Sequence, residues 1–366
     1  MRMVIFGLTV TSSWGNGHAT LWRGLIRALA RLGWSITFFE RDTPYYAGAR
    51  DLDQLDGGNV VIYPDWEDIR RVAERAMKQA DVVLVTSYCP DAVEASRLAQ
   101  QASRGLRVFY DLDTPVTLAR VEHGERPPYF GPEGLADYHL VLSYTGGSAL
   151  EALKTVLGAR QVMPLYGHVD PDRHRPAEKR AEFAGDLSYL GTYAADRQAG
   201  VEELLVRPAM RLPDQRFIIG GAQYPQEFPW SDNIFFVRHL PPADHPAFFS
   251  SSRLTLNVTR EAMAQKGWCP SGRLFEAAAC GAAIITDAWP GLADFFEPGR
   301  EVLLAHDTDD VVAALQLPEH ELDGIRRRAR ERVLSEHTSA RRAAELDRML
   351  ADALQNPVGE PIEEAV

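Results

Sequence analysis

Short, continuous apolar runs alternate along the chain with stretches whose apolar residues recur every three or four positions. "MVIFGL" (3–8) reads as a buried strand, and "TLWRGLIRALARLG" (20–33) as a helix stopped by its final glycine. "SITFFE" and "NVVIY" are the next strands, and "DWEDIRRVAERAMKQA" is a helix opened by an acidic cap. "DVVLVTS" and "LRVFYDLD" follow as strands around another helix, and "YHLVLSYT" and "QVMPLY" close the first half. Strands that are apolar throughout, separated by amphipathic helices, predict a parallel sheet covered on both faces.

The pattern breaks at 165–185, "LYGHVDPDRHRPAEKRAEFAG", which is polar and proline-bearing and reads as a linker. A second alternating series follows: "DLSYLGTY", a helix from Asp196, "RFIIGG", "NIFFV", "RLTLNV", a helix from Ser271, "AAIITD" and "EVLLA". The prediction is an α/β protein with two Rossmann-like doubly wound domains, 1–168 and 169–335. Residues 336–366 are expected to form a helix returning to the first domain and a frayed acidic tail, "NPVGEPIEEAV". Ligands of such sheets bind beyond the carboxyl ends of the strands, so two such edges are expected to face each other across a cleft.

Composition narrows the function. Of 366 residues, 45% are hydrophobic and 25% charged, as in a globular protein with a full core. The formal net charge of -12 argues against a nucleic-acid surface, which needs a basic stripe. Cys89, Cys269 and Cys280 match no zinc or disulfide spacing, so they read as reduced thiols of a cytoplasmic protein. The apolar start is too short for a signal peptide and reads as the first strand. No stretch approaches the roughly 18 apolar residues of a membrane span.

The strand-to-helix turns carry the candidate chemistry. Gly15, Asn16, Gly17 and His18 follow the first strand, where glycines let backbone N–H groups approach an anion at a helix start. Thr20 stands where a dinucleotide fingerprint needs its third glycine, so that fingerprint is incomplete. A tight turn whose histidine is only structural is the competing reading. Asp111 and Asp113 end another strand, and each is a candidate base or a helix cap. Gly146 and Gly147 form a second glycine turn, and Gly191, Thr192 and Tyr193 a third, ahead of a helix carrying Arg197. In "PSGRLFEAAACG", Pro270 and Ser271 open a helix bearing Arg273, Leu274 and Glu276. A carboxylate there is able to accept two ribose hydroxyls. Arg260, Lys266 and Arg273 gather positive charge around it, as a diphosphate site requires. "DLD" occurs at 51–53 and again at 111–113, and the first copy reads as solvated surface.

"SGRLFEAAACGAAIITDAWPGLADFFEPGREVLL" resembles the donor-binding segment of group 1 glycosyltransferases, which have the GT-B fold. "SSWGNGHAT", "YDLDTPVTLA", "SYTGG", "YLGTY", "DRQ" and "LNVTR" look like its CgeB-like, spore maturation branch, over nearly the whole chain. The resemblance implies a nucleotide-diphosphate sugar donor on the second domain and an acceptor on the first. It implies that Glu276 holds the donor ribose, that Arg197 with Lys266 or Arg273 neutralises the diphosphate, and that the Gly17 turn underlies the phosphates. It also places Leu274 in the donor site. Trp268 stands where the family usually has a glutamate near the sugar, and Asp111 or Asp113 where many members have a histidine. The implied reaction is metal-independent, cofactor-free glycosyl transfer, and retention is the expectation. The acceptor is a hydroxyl on a glycan, polysaccharide, protein or small molecule. An epimerase or hydrolase of sugar nucleotides, a non-catalytic sensor, and a nicotinamide dehydrogenase using Glu40 are the alternatives. Aromatics of the first-domain loops, Tyr45, Tyr46, Tyr129 and Phe130, are candidates either to stack on a sugar or to pack their loops.

Overall fold

Residues 1–355 are described by a computed structural model. The acidic tail expected at 356–366 lies outside the described residues. The chain divides into two compact units: 1–166 together with the chain from Ala340 onward, and 167–339.

The first unit alternates strand and helix as the apolar pattern requires. Its elements run β1 (Arg2–Gly7), α1 (His18–Arg31), β2 (Ser35–Arg41), α2 (Pro44–Ala47), β3 (Gly58–Tyr63), α3 (Trp66–Gln79), β4 (Val82–Thr86) and α4 (Ala92–Ala102). They continue with β5 (Leu106–Asp111), α5 (Thr114–Glu122), β6 (Leu140–Ser143), α6 (Ser148–Leu157) and β7 (Val162–Pro164). The sheet is parallel, in the order β3-β2-β1-β4-β5-β6-β7. The order reverses between β1 and β4, so the turns after these two strands diverge and open a crevice. Phe6, Phe39, Val83, Val85 and Phe109 fill the space between one sheet face and its helices.

The second unit contains β8 (Gly185–Leu190), then a helical run of α7 (Gln198–Val201), a π turn and α8 (Arg207–Arg211), then β9 (Phe217–Gly221) and β10 (Ile234–Arg238). It goes on through α9 (His245–Ser251), β11 (Ser252–Asn257), α10 (Glu261–Lys266), α11 (Gly272–Ala279), β12 (Ala283–Thr286), β13 (Leu303–Leu304), α12 (Thr308–Leu315) and α13 (Glu319–Glu336). Its parallel sheet runs β10-β9-β8-β11-β12-β13, with the reversal between β8 and β11. The turns singled out after the first and eighth strands therefore each lie at a reversal point.

The last helix, α14 (Ser339–Gln355), packs with the first unit. Leu346 and Leu350 are fully buried, and the Trp34 indole Nε1 donates to Asp347 at 2.8 Å. Two local expectations need correction. The acidic cap of α3, Asp65, makes no capping bond, because its carboxylate takes Arg41 at 2.8 Å. The segment expected as a linker is held against the second unit from its start. Val169 bridges Thr338, and His168 Nδ1 lies 2.9 Å from the Ser339 hydroxyl.

Candidate functional site

In the first unit, the glycine turn after β1 is fixed from beneath. The buried Glu40 carboxylate accepts Val10 N at 2.8 Å, Thr11 N at 3.0 Å and the Thr11 hydroxyl at 2.5 Å. The acid weighed as a ribose ligand for a dehydrogenase is therefore occupied by backbone. Asp51, expected as solvated surface, is a second anchor. It accepts Ser13 N at 3.1 Å and pairs with Arg23 at 2.6 Å, and these partners hold its pKa low against the opposing effect of burial. Asn16 turns inward, donating to Thr9 O at 3.2 Å and accepting His18 N at 3.1 Å through Oδ1. Its side chain therefore ties the turn together just ahead of α1. Gly15 adopts a left-handed φ of 57°, while a Cβ added to Gly17 would meet nothing within 4 Å, so Gly17 presents open backbone.

His18 is the first residue of α1 and is half-buried. Burial lowers its pKa, so the ring is neutral near pH 7, and the Asp113 carboxylate opposes that shift. The two aspartates thus separate. Asp113 faces His18 electrostatically and accepts the Tyr88 hydroxyl at 3.0 Å. Asp111 is fully buried, accepts the Thr117 hydroxyl at 3.0 Å and Asp113 N at 3.2 Å through Oδ1, and leaves Oδ2 without a partner. Burial pushes its pKa up to about 6.

Gly146 has a steric reason to be glycine. A Cβ there would stand 2.0 Å from the Tyr166 hydroxyl, and Gly147 adopts φ 58° to turn the chain into α6. Tyr129 and Phe130 are buried among Phe109 and their neighbours, so they pack the loop; Tyr45 is exposed, edge-on to Tyr46.

In the second unit, the candidates gather at the carboxyl edge of the sheet. The buried Tyr189 hydroxyl lies within the combined field of Arg197, Asp287, Arg273 and Asp196. A Cβ on Gly191 would stand 2.7 Å from that hydroxyl. Arg197 donates to Thr192 O at 2.8 Å, and Arg260 pairs with Asp196 at 2.9 Å. The half-buried Tyr193 packs edge-on to Tyr224, whose hydroxyl donates to Gly191 O at 3.1 Å. The Lys266 end of α10 continues into Gly267, which is closed against Pro290 O. Trp268, in a left-handed conformation, stacks over Gly291 and donates its indole N–H to Asp294 at 2.6 Å. Its polar atom is thus spent within its own loop.

Ser271 caps α11 by accepting Arg273 N at 3.3 Å, and Leu274 is fully buried under the helix. Glu276, one turn on, is buried and bonded to the Arg273 guanidinium. His245 Nδ1 lies 3.5 Å and His174 Nε2 3.8 Å from its carboxylate oxygens. Burial opposes ionisation of Glu276, but Arg273 and the histidines outweigh it and hold the group well below the usual carboxylate range. Burial in turn pushes His174 down to about 4. Sequence reasoning did not single out Tyr189, Asp287, His174 or His245. Asp287 had a readable signal: it directly follows the apolar run of β12. It accepts Thr259 N at 3.0 Å and the Thr259 hydroxyl at 2.9 Å.

Residues 197–348 match the family model described as glycosyl transferase-like. No curated protein matches the chain. Among solved structures, the chain is similar to sucrose-phosphate synthase from Thermosynechococcus elongatus (15% identity, 97% of this chain and 99% of that one, TM-score 0.71). It is similar to Anabaena HepE in complex with UDP and glucose (14%, 96% and 99%, TM-score 0.68). It is also similar to the catalytic domain of starch synthase IV from Arabidopsis thaliana bound to ADP and acarbose (11%, 97% and 99%, TM-score 0.66). The fold is the α/β GT-B fold with two parallel sheets. No helix among the described residues is long and apolar enough to cross a membrane.

Proposed function

We propose that the protein is a retaining glycosyltransferase of the CgeB-like group 1 branch, moving a hexosyl or related sugar from a nucleotide-diphosphate donor to a hydroxyl. One observation carries this reading: Arg197, Arg273, Asp196 and Asp287 all act electrostatically on the buried Tyr189 hydroxyl, at the end of β8 in the second sheet. All but Tyr189 lie within or directly beside the segment that matches the glycosyl transferase-like model. Breaking the sugar–phosphate bond puts negative charge on the leaving diphosphate. Arg197, Arg273, Arg260 and Lys266, with the N-terminus of α11, are the groups suited to receive it. When Arg273 turns to the phosphates, the outer oxygen of Glu276 becomes available to the ribose hydroxyls. His18, neutral and at the start of α1, orients the acceptor hydroxyl, whose proton passes to the leaving phosphate as the new C–O bond forms. These groups supply the charge stabilisation, so the reacting bond needs no metal. Binding of UDP-sugar by HepE and of ADP by the starch synthase belongs to those proteins, but supports a nucleotide donor here. The three cysteines, buried and outside any disulfide, accord with a cytoplasmic enzyme.

A thermal-shift and calorimetric screen of UDP-, ADP- and GDP-sugars, followed by acceptor assays, tests the reading. Stabilisation by one donor and transfer to a hydroxyl are expected. Indifference to every nucleotide would remove it. Binding without turnover would point to a sensor, and turnover without acceptor to an epimerase or hydrolase.

A further inference from the structure

Glu276 has a second side. Arg273 approaches its carboxylate from the exposed side, and two imidazoles approach from within. His174 is 6% and His245 3% exposed. Neither ring nitrogen of His174 has a hydrogen-bond partner, and neither does His245 Nδ1. His245 Nδ1 faces one Glu276 oxygen at 3.5 Å and His174 Nε2 faces the other at 3.8 Å. A cation held among the three groups would satisfy these buried atoms.

We infer that His174, His245 and Glu276 form a binding site for a borderline-soft divalent metal ion such as Zn²⁺. One ligand atom from each residue lies within 4.8 Å of the others, and theirs is the only such group among the described residues. Tetrahedral bonds of about 2.1 Å place ligand atoms about 3.4 Å apart. His174 Nε2 is 3.8 Å from Oε1 and His245 Nδ1 3.5 Å from Oε2, so one imidazole is already near that spacing and the other must shift towards the shared oxygen from within 4.8 Å. Two imidazoles and a carboxylate are a donor set that zinc accepts, with water as a fourth ligand. With Oε1, the oxygen facing His174, on the ion, Glu276 keeps Oε2 for Arg273 or for a ribose. The ion therefore sits behind the donor carboxylate as a structural pin, away from any reacting bond.

The site stands on its own geometry, so its test separates from that of the transferase reading. Chelator-stripped protein titrated with Co²⁺ should bind one ion per chain and develop the visible bands of a low-coordinate site. His174→Ala and His245→Ala should each weaken binding at least tenfold. X-ray absorption on zinc-loaded wild-type protein should count two imidazoles, a readout that does not depend on how the variants fold. Absence of Co²⁺ binding, or a bound ion with fewer than two imidazoles, would overturn the inference. Nucleotide calorimetry on stripped protein is scored separately: donor binding without metal binding leaves the transferase reading intact, and the converse leaves the metal site.

Discussion

Two buried glutamates, Glu40 under the first unit's glycine turn and Glu276 on α11 of the second unit, face opposite kinds of partner. Glu40 accepts only neutral donors from one short stretch of backbone and its hydroxyl, so it locks a loop. Glu276 faces one guanidinium from its own helix and two imidazoles from two distant parts of the chain. An acid satisfied by backbone has a single arrangement. An acid satisfied by a half-exposed arginine can exchange that partner for a ligand. The first unit presents a rigid turn with one poised side chain, and the second presents groups that can be redirected.

The largest effect is expected at the poised side chain. His18→Ala should lower turnover by about 10²–10⁴, the usual loss for a proton-handling or orienting group. It should move the melting temperature little, because His18 is only half-buried. Near-normal turnover, measured beside the melting curve, would reduce the turn to a backbone cradle.

Glu40→Ala should destabilise the first unit by on the order of 3 kcal/mol or more. It strands two buried amides and a hydroxyl, each costing about 1–3 kcal/mol. Urea unfolding measures this, and a midpoint matching wild type would break the contrast from the first-unit side.

Asp111→Asn tests a third kind of acid, one buried with an unpartnered oxygen. Its folded pKa of about 6 lies above the ordinary value of 3.8, so the folded state binds the extra proton between those values. Stability from this group is therefore present below about pH 4 and lost as pH rises through 6. That gap is worth on the order of 3 kcal/mol. Asp111→Asn should remove that fall, so its advantage over wild type appears at pH 8 and vanishes at pH 4. Equal slopes of melting temperature against pH would show that the carboxylate is not penalised. Turnover should survive, because Asp113 is the aspartate that faces His18.

Glu276→Ala should weaken nucleotide binding about tenfold, or 1.4 kcal/mol, with a smaller melting shift than Glu40→Ala. Calorimetry on the folded variant decides it. Unchanged affinity would make Glu276 a purely internal residue like Glu40, and the contrast would collapse.

The legibility of each feature tracks the range of the forces that form it. The sheets were legible because buried parallel strands must be apolar throughout, as in "DVVLVTS" and "AAIITD". The turns after β1 and β8 were legible because glycines and helix starts are local. The partners of side chains were not. Glu40 looked like a ribose acid, Asp51 like solvent-facing charge and Asn16 like a ligand-binding residue, yet each satisfies a loop. His174 and His245 carry no local pattern. The supposed linker brings His174, and the start of α9 brings His245, to Glu276 on α11.

The return of α14 to the first unit has a consequence for synthesis. The Trp34–Asp347 bond and the burial of Leu346 and Leu350 join the earliest part of the chain to some of its latest residues. Residues 167–339 are contiguous, so that unit needs no residue from outside its own stretch of chain to be complete. The first-made unit must wait for the last helix, with Trp34 and its neighbours uncovered until then. The half translated first is therefore the half completed last, and it is there that a chaperone has the most time to act.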